Sequence, residues 1–287
     1  MSSMTLDYWY MLPVSTGVAT VAMASGVEGA TFFAPIFLLV LGLPAEVAIG
    51  TGLLTEVFGF ASGVTAYVRR GLVDYALARA LLVATVPAAI VGSLVVPYIR
   101  SDILETVLGM GLVAVALSFL RAPDREEIGR LDRGVAEDFG GAGETSLITA
   151  DGEEIRYTTC NRMEGGLVAG LGALFMGMVS TGLGELNGYF LLRRCRVPSR
   201  VAVGTGVVVV AVTALSAATV HMWRFVETGG DELHTVLSLA TFTIPGVIVG
   251  GQLGPIIATR LSQHALEKAL GVLFLLVGAL MLWRVAG

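Results

Sequence analysis

Ser25-Gly26-Val27-Glu28-Gly29 lies between two apolar runs, 11–24 and 30–43. Neither run reaches the roughly 20 residues that a helix needs to cross a bilayer. A glycine pair and a carboxylate at the join break the helix, and irregular backbone inside hydrocarbon is tolerated only where protein buries it or a wet cavity borders it. Thr181-Gly182-Leu183-Gly184-Glu185 sits in the same way between apolar runs at 165–180 and 186–192. Two interrupted helices, each with an acid at the break, predict a transport site made from broken elements.

The surrounding composition sets the solvent. Of 287 residues, 55% are hydrophobic and only 14% are charged, with a mean hydropathy of +0.79. That usage excludes an ordinary soluble domain and predicts an all-α, polytopic membrane protein. The 37 glycines suit helices that approach through small residues. Segment 1–10 has no basic region, so no cleavable signal peptide is expected. The net charge of −5 is carried by 121–164, which holds 11 acids and 6 arginines. The membrane body is neutral and predicts no nucleic-acid partner. Cys160 and Cys195 are expected to be free thiols, and no metal-ligand spacing is present.

The chain is duplicated. Leu43-Pro44 and the run Val47-Ala48-Ile49-Gly50-Thr51-Gly52 correspond to Val197-Pro198 and Val201-Ala202-Val203-Gly204-Thr205-Gly206. Thr85-Val86-Pro87 corresponds to Thr243-Ile244-Pro245, and Leu104-Glu105 to Leu266-Glu267. Matches kept in order over three segments indicate an internal repeat. The expected units are a first membrane repeat over 1–120, a linker over 121–164 and a second repeat over 165–287. Each repeat has one broken element and three spans, at 47–68, 75–98 and 102–120 and then 201–223, 233–258 and 265–283. In the linker, 125–139 reads as a short amphipathic helix. Segment 146–160 reads as a β-hairpin about Asp151-Gly152, with a solvated connector as the alternative.

Basic residues decide the orientation. If each broken element crosses the membrane once, 11 basic residues fall inside and 7 outside; if each returns to its starting side, 15 fall inside and 3 outside. The second arrangement predicts re-entrant hairpins. Each repeat then makes an odd number of crossings, the halves are inverted, and the two hairpin tips meet near the midplane. Segment 1–10 has no Lys or Arg, so a single crossing by the first element stays open.

With the paired glycine-rich hairpins, the Gly-Thr-Gly entries at 50–52 and 204–206 and the Arg69-Arg70-Gly71…Asp74 loop in view, the chain resembles the TauE/SafE family of sulfite and organosulfonate exporters. The resemblance spans both halves and also takes in Gly26…Gly29…Pro35, Pro87 with Gly92, and their second-half partners. It implies a permease exporting small sulfur-containing anions through a bacterial or archaeal plasma membrane, with the linker cytoplasmic. Glu28, Glu185 and the long linker depart from the family's pattern.

The candidate substrate or coupling residues are Gly26, Glu28, Gly29, Thr51, Glu56, Gly182, Gly184, Glu185, Asn187 and Thr205. A half-helix beginning after each break presents free N–H groups and a positive dipole end, which suits an anion. Glu28 and Glu185 read equally well as caps of those half-helices or as transport residues. If they take up protons, transport is proton-coupled. Glu56 either lines the cavity or is a hydrogen-bonded packing acid. Asn187 donates to an anion or satisfies broken backbone. Thr51 and Thr205 are expected as helix-start caps, Pro87 and Pro245 as kinks, and His221, His234 and His264 as interfacial polar residues. No cofactor, metal or ATP drive is expected, and no motif of an intramembrane enzyme is present. The remaining alternative is a carrier of another small solute or a cation, with Glu28, Glu56 and Glu185 as ligands.

Overall fold

The computed structural model describes residues 6–25, 28–121, 129–130, 133–134, 145–158, 162–195, 197–258 and 263–286. The first broken element is α1 (Met11–Ser25) followed by α2 (Ala30–Pro35), which runs on as a π-helical turn over Ile36–Val40. Three helices follow, α3 (Ala45–Arg69), α4 (Tyr75–Val95) and α5 (Ser101–Leu120). The linker contributes strands β1 (Thr145–Ile148) and β2 (Glu154–Tyr157). The second half repeats the order, with α6 (Arg162–Val179), α7 (Leu183–Tyr189) and a π-helical turn over Phe190–Arg194, then α8 (Ser199–Thr228), α9 (Gly230–Ala258) and α10 (Gln263–Ala286).

Among the described residues six helices are long and apolar enough to cross a membrane, namely α3, α4, α5, α8, α9 and α10. The arms Met11–Met23, Ala30–Val40 and Met163–Val179 are shorter apolar helices. The protein is an all-α polytopic membrane protein. Valine, leucine and isoleucine point outward at Val83, Leu167, Leu215, Leu276 and many other exposed positions, as a bilayer requires and water would not tolerate.

Both return arms end in the same way. Leu41 N–H donates to the Ile36 carbonyl at 3.2 Å and Leu43 N–H to Phe37 at 3.1 Å; Cys195 N–H donates to Phe190 at 2.9 Å and Val197 N–H to Leu191 at 2.9 Å. These are corresponding positions of the duplication, so each half closes its short helix with the same widened turn before the next proline. Pro44 and Pro198 then stand as N-caps of α3 and α8.

The halves are exchanged in space. α1 packs along α9 of the other half, and α6 packs along α4. α3 lies against α8, with Gly50 near Phe225 and Gly63 near Val207, which makes the pair antiparallel. α5 and α10 are antiparallel as well, with Gly109 near Leu282 and Gly271 near Leu120. Bare glycines permit these contacts: a methyl group on Gly177 would overlap the Ala89 carbonyl oxygen, and one on Gly92 the Leu174 carbonyl oxygen. In an apolar solvent such close packing, rather than hydrophobic burial, holds helices together.

Thr51 and Thr205 lie in the second turns of α3 and α8, past the positions where they could cap those helices. His221 is not interfacial. It is buried, and its Nε2 lies 3.0 Å from the Gly177 carbonyl, joining α8 to α6. Cys195 is disulfide-bonded rather than free; the chain's other cysteine, Cys160, lies outside the described residues. So do Gly26, the side chains of His264 and Glu185, and most of 125–139. The linker hairpin forms, with Thr145 opposite Tyr157 and Ile148 opposite Glu154.

Gly177→Ala tests the packing argument. Overpacking of this kind costs about 1–3 kcal/mol, so thermal unfolding in detergent should shift down by several degrees. Gly17→Ala, where no atom lies within 4 Å of the added carbon, should leave the transition unchanged or raise it.

Candidate functional site

A helix that starts inside a protein leaves four backbone N–H groups without helical partners. In water they would be solvated. Here both short helices start in the interior, and in each case a carboxylate from another segment supplies the acceptor. The Ala30 N–H at the start of α2 donates to Glu56 Oε1 of α3 at 3.1 Å. The Gly184 N–H at the start of α7 donates to Glu28 Oε1 of the opposite break. Glu28 and Glu56 are both buried. Charge-assisted bonds to a helix N-terminus are among the stronger ones available to a carboxylate.

The two breaks touch. Besides the Glu28–Gly184 bond, the hydroxyls of Thr31 and Thr181 lie 3.1 Å apart, and both residues are buried. The elbows are therefore joined by polar contacts and not separated by aliphatic side chains. They reach this position because each interrupted helix is too short to pass through the bundle. The second break needs backbone that few residues adopt. Ser180 has φ 58° and Gly182 has φ 113°, the left-handed region that glycine enters at no steric cost.

The second elbow differs from the sequence expectation. α7 begins at Leu183, so Glu185 is the third residue of the helix and not part of the break. The residue that faces Glu28 is Gly184, and an added carbon there would push the Glu28 carboxylate aside. Gly182 is the N-cap of α7 and Gly29 that of α2.

Glu56 sits beside the first elbow. Besides Ala30 N–H, it borders a cavity of about 30 Å³ shared with Gly29, Phe33, Gly59, Met23 and Val247, room for about one or two waters. The small-residue face of α3 is what fits it there. Gly52 packs on Ala34 of α2, Gly59 faces Val247 of α9, and Thr55 Oγ1 meets Thr243 Oγ1 at 2.9 Å. On the other side Thr213 Oγ1 of α8 donates to Thr85 Oγ1 of α4 at 2.9 Å. Each of these two links uses the threonine that stands two residues before a mid-helix proline.

Asn187 is buried beside Gly206 of α8, and neither Nδ2 nor Oδ1 has a hydrogen-bond partner among the described residues. The same is true of the buried hydroxyls of Ser180 and Thr51. Unmade hydrogen bonds of this kind cost about 1–3 kcal/mol each when buried. Thr205 is instead engaged, accepting from Asp74 N–H at 3.0 Å. Thr31, Thr181 and Ser180 were not singled out from sequence, although each borders a glycine-marked break, which is the signal that could have found them. No group of three or more His, Cys, Asp or Glu able to hold a metal occurs among the described residues.

The family model described as "Sulfite exporter TauE/SafE" matches residues 11–281. The chain is 22% identical over 255 residues to the probable membrane transporter protein YunE of Bacillus subtilis (strain 168), a match covering 88% of this chain and 86% of that one. A shorter match, 28% over 96 residues, covering 33% of this chain and 37% of the relative, is to the probable membrane transporter protein ORF9 of Sinorhizobium sp. No solved structure matches. The family match runs through both broken elements and all six long helices, and the chain therefore belongs to the TauE/SafE sulfite exporter family of membrane transporters and is not an enzyme.

Proposed function

We propose that the protein exports small sulfur-containing anions, sulfite or organosulfonates, across a bacterial or archaeal plasma membrane, coupled to proton uptake at Glu28. The observation that carries this reading is the Glu28 carboxylate on the Gly184 N–H. An anion already occupies the amide end of the short helix, supplied by the opposite elbow. A substrate anion can take that place only if Glu28 leaves or loses its charge, since two anions on one helix terminus repel. Protonation of Glu28 removes its charge and weakens its hold on the Gly184 N–H, so that an anion can displace it, and the Ser180 hydroxyl and Asn187 Nδ2 then offer further donors. Thr31 and Thr181 seal the elbow contact until the substrate arrives.

The antiparallel pairings of α3 with α8 and of α5 with α10 support an inverted repeat, and with it re-entrant hairpins entering from opposite leaflets. The basic residues favour the arrangement in which 121–164 is cytoplasmic. Glu56, on α3 of the same half as Glu28, holds the start of α2 and borders the cavity, so it is the acid that serves the first elbow. Glu185 stands one residue past Gly184, on the same short helix. The cation-carrier alternative needs its glutamate oxygens turned toward an ion. Two of the carboxylates instead accept from backbone N–H groups, which favours the anion reading.

Two measurements test it. Sulfite efflux from proteoliposomes should rise as pH falls in the unaltered protein. In Glu28→Gln, whose amide oxygen still accepts from Gly184, that dependence should flatten. Retention of the full pH dependence would remove Glu28 as the coupling group. A thermal-shift screen separates the ligand classes: sulfite and small sulfonates should raise the unfolding temperature, while sodium, potassium and calcium at equal ionic strength should not. The reverse pattern would favour a cation carrier.

A further inference from the structure

The linker hairpin, β1 and β2, packs on the membrane body away from the two elbows. A two-stranded hairpin is at best marginally stable alone, so β1 and β2 owe their structure to what they dock on. Tyr157 is fully buried, and its hydroxyl donates to Asp74 Oδ2 at 2.6 Å. Burial first, and then the hydrogen bond and negative charge of Asp74, push the phenol above its ordinary value, so the hydroxyl keeps its proton. The other oxygen of Asp74 accepts from the Ala76 and Leu77 N–H groups at 2.9 Å each, capping α4. The backbone N–H of Asp74 donates to Thr205 of α8. Ala150 N–H donates to the Arg70 carbonyl at 3.0 Å. Gly71, with φ +67°, lies under Ile148–Ala150, where a side chain would press on the hairpin. Arg200 at the start of α8 pairs with Glu153 at 2.8 Å, an exposed contact of small worth.

These contacts join three parts of the chain: the α3–α4 loop of the first half, the linker, and the first turns of α8 in the second half. The α3–α4 loop also rests directly on α8, since a methyl group on Gly204 would overlap the Leu72 carbonyl oxygen. From Thr205 the next residue is Gly206, against which Asn187 of the second elbow packs. A continuous line of contact thus runs from Tyr157 through Asp74 and Thr205 to the elbow.

We propose that the hairpin is a latch whose Tyr157–Asp74–Thr205 chain holds the linker-side end of the pathway shut by tying the two halves together. Its release frees the α3–α4 loop from α8 and opens that end. Tyr157 is a positioning residue in this scheme and does not touch the substrate. The consequence for transport rests on the transporter reading above, but the latch itself is a property of the protein without substrate.

Hydrogen exchange of the full-length protein in nanodiscs, with no anion added, tests it. In Tyr157→Phe, the amides of 145–157, 70–74 and 199–206 should exchange at least about tenfold faster, as expected for loss of a hydrogen bond to a charged group. The opposite end, where Glu46 meets Arg224 at 3.3 Å, should be unchanged. Arg200→Gln should change exchange less than about threefold. If Tyr157→Phe does not fold, Gly71→Ala lifts the hairpin by a second route and should give the same polarised pattern. Unchanged exchange at 199–206, or a uniform increase through all helices, would overturn the latch. A polarised increase in a protein that moves no sulfite would leave the latch standing and remove the sulfite assignment.

Discussion

Backbone N–H groups at the start of a helix cannot be left bare inside a low-dielectric interior, and the structure follows from how two such starts are satisfied. α2 and α7 begin in the middle of the bundle because the elements that contain them are too short to cross it. Each then needs an acceptor from elsewhere. Glu56 reaches Ala30 from the neighbouring helix, and Glu28 reaches Gly184 from the opposite half. The second bond is the one that makes the halves a single unit at their centre. It also buries a carboxylate at the start of α7, and in the function proposed above the contact that stabilises the fold is the one an anion displaces.

The arrangement around this centre is built for close approach. Glycines at 92, 177 and 204 allow backbone to meet backbone across the halves, and paired threonine hydroxyls link α3 to α9 and α4 to α8. Lipid-facing positions carry aliphatic side chains, which gain nothing by associating in a bilayer. Rigid-body movement of one half against the other therefore has to break a small number of defined polar contacts. These include the two elbow bonds, the paired threonines, the Glu46–Arg224 pair at one end, and the hairpin contacts at the other.

Much of the fold was legible in the sequence because the signals were local. Apolar runs too short to span, interrupted by glycine and acid, gave both broken elements. Ordered identities gave the duplication, and an Asp-Gly turn between alternating residues gave the linker hairpin. The broken elements, the duplication and the charge bias together predict that the two elbows meet, and they do, although through Gly184 and not Glu185. What could not be read were partners. Periodicity puts Glu56 on the small-residue face of its helix, but nothing local says that it caps a helix start 26 residues earlier. The carboxylate at 185 looked like the counterpart of Glu28, whereas the left-handed backbone at Ser180 and Gly182 starts α7 two residues before it. The bond of Tyr157 to Asp74 spans 83 residues, and no pattern in either segment announces it. Thr51 and Thr205 align in the duplication, yet Thr205 accepts from Asp74 while Thr51 has no partner among the described residues.

The central claim is that the Glu28 carboxylate and an exported anion compete for one place at the start of α7. The most direct measurement is a cryo-EM map of the protein saturated with sulfite at low pH. The account predicts density for the anion beside Gly184 N–H, between Ser180 and Asn187, with the Glu28 side chain turned away. Sulfite bound elsewhere, with Glu28 still on Gly184, would contradict it.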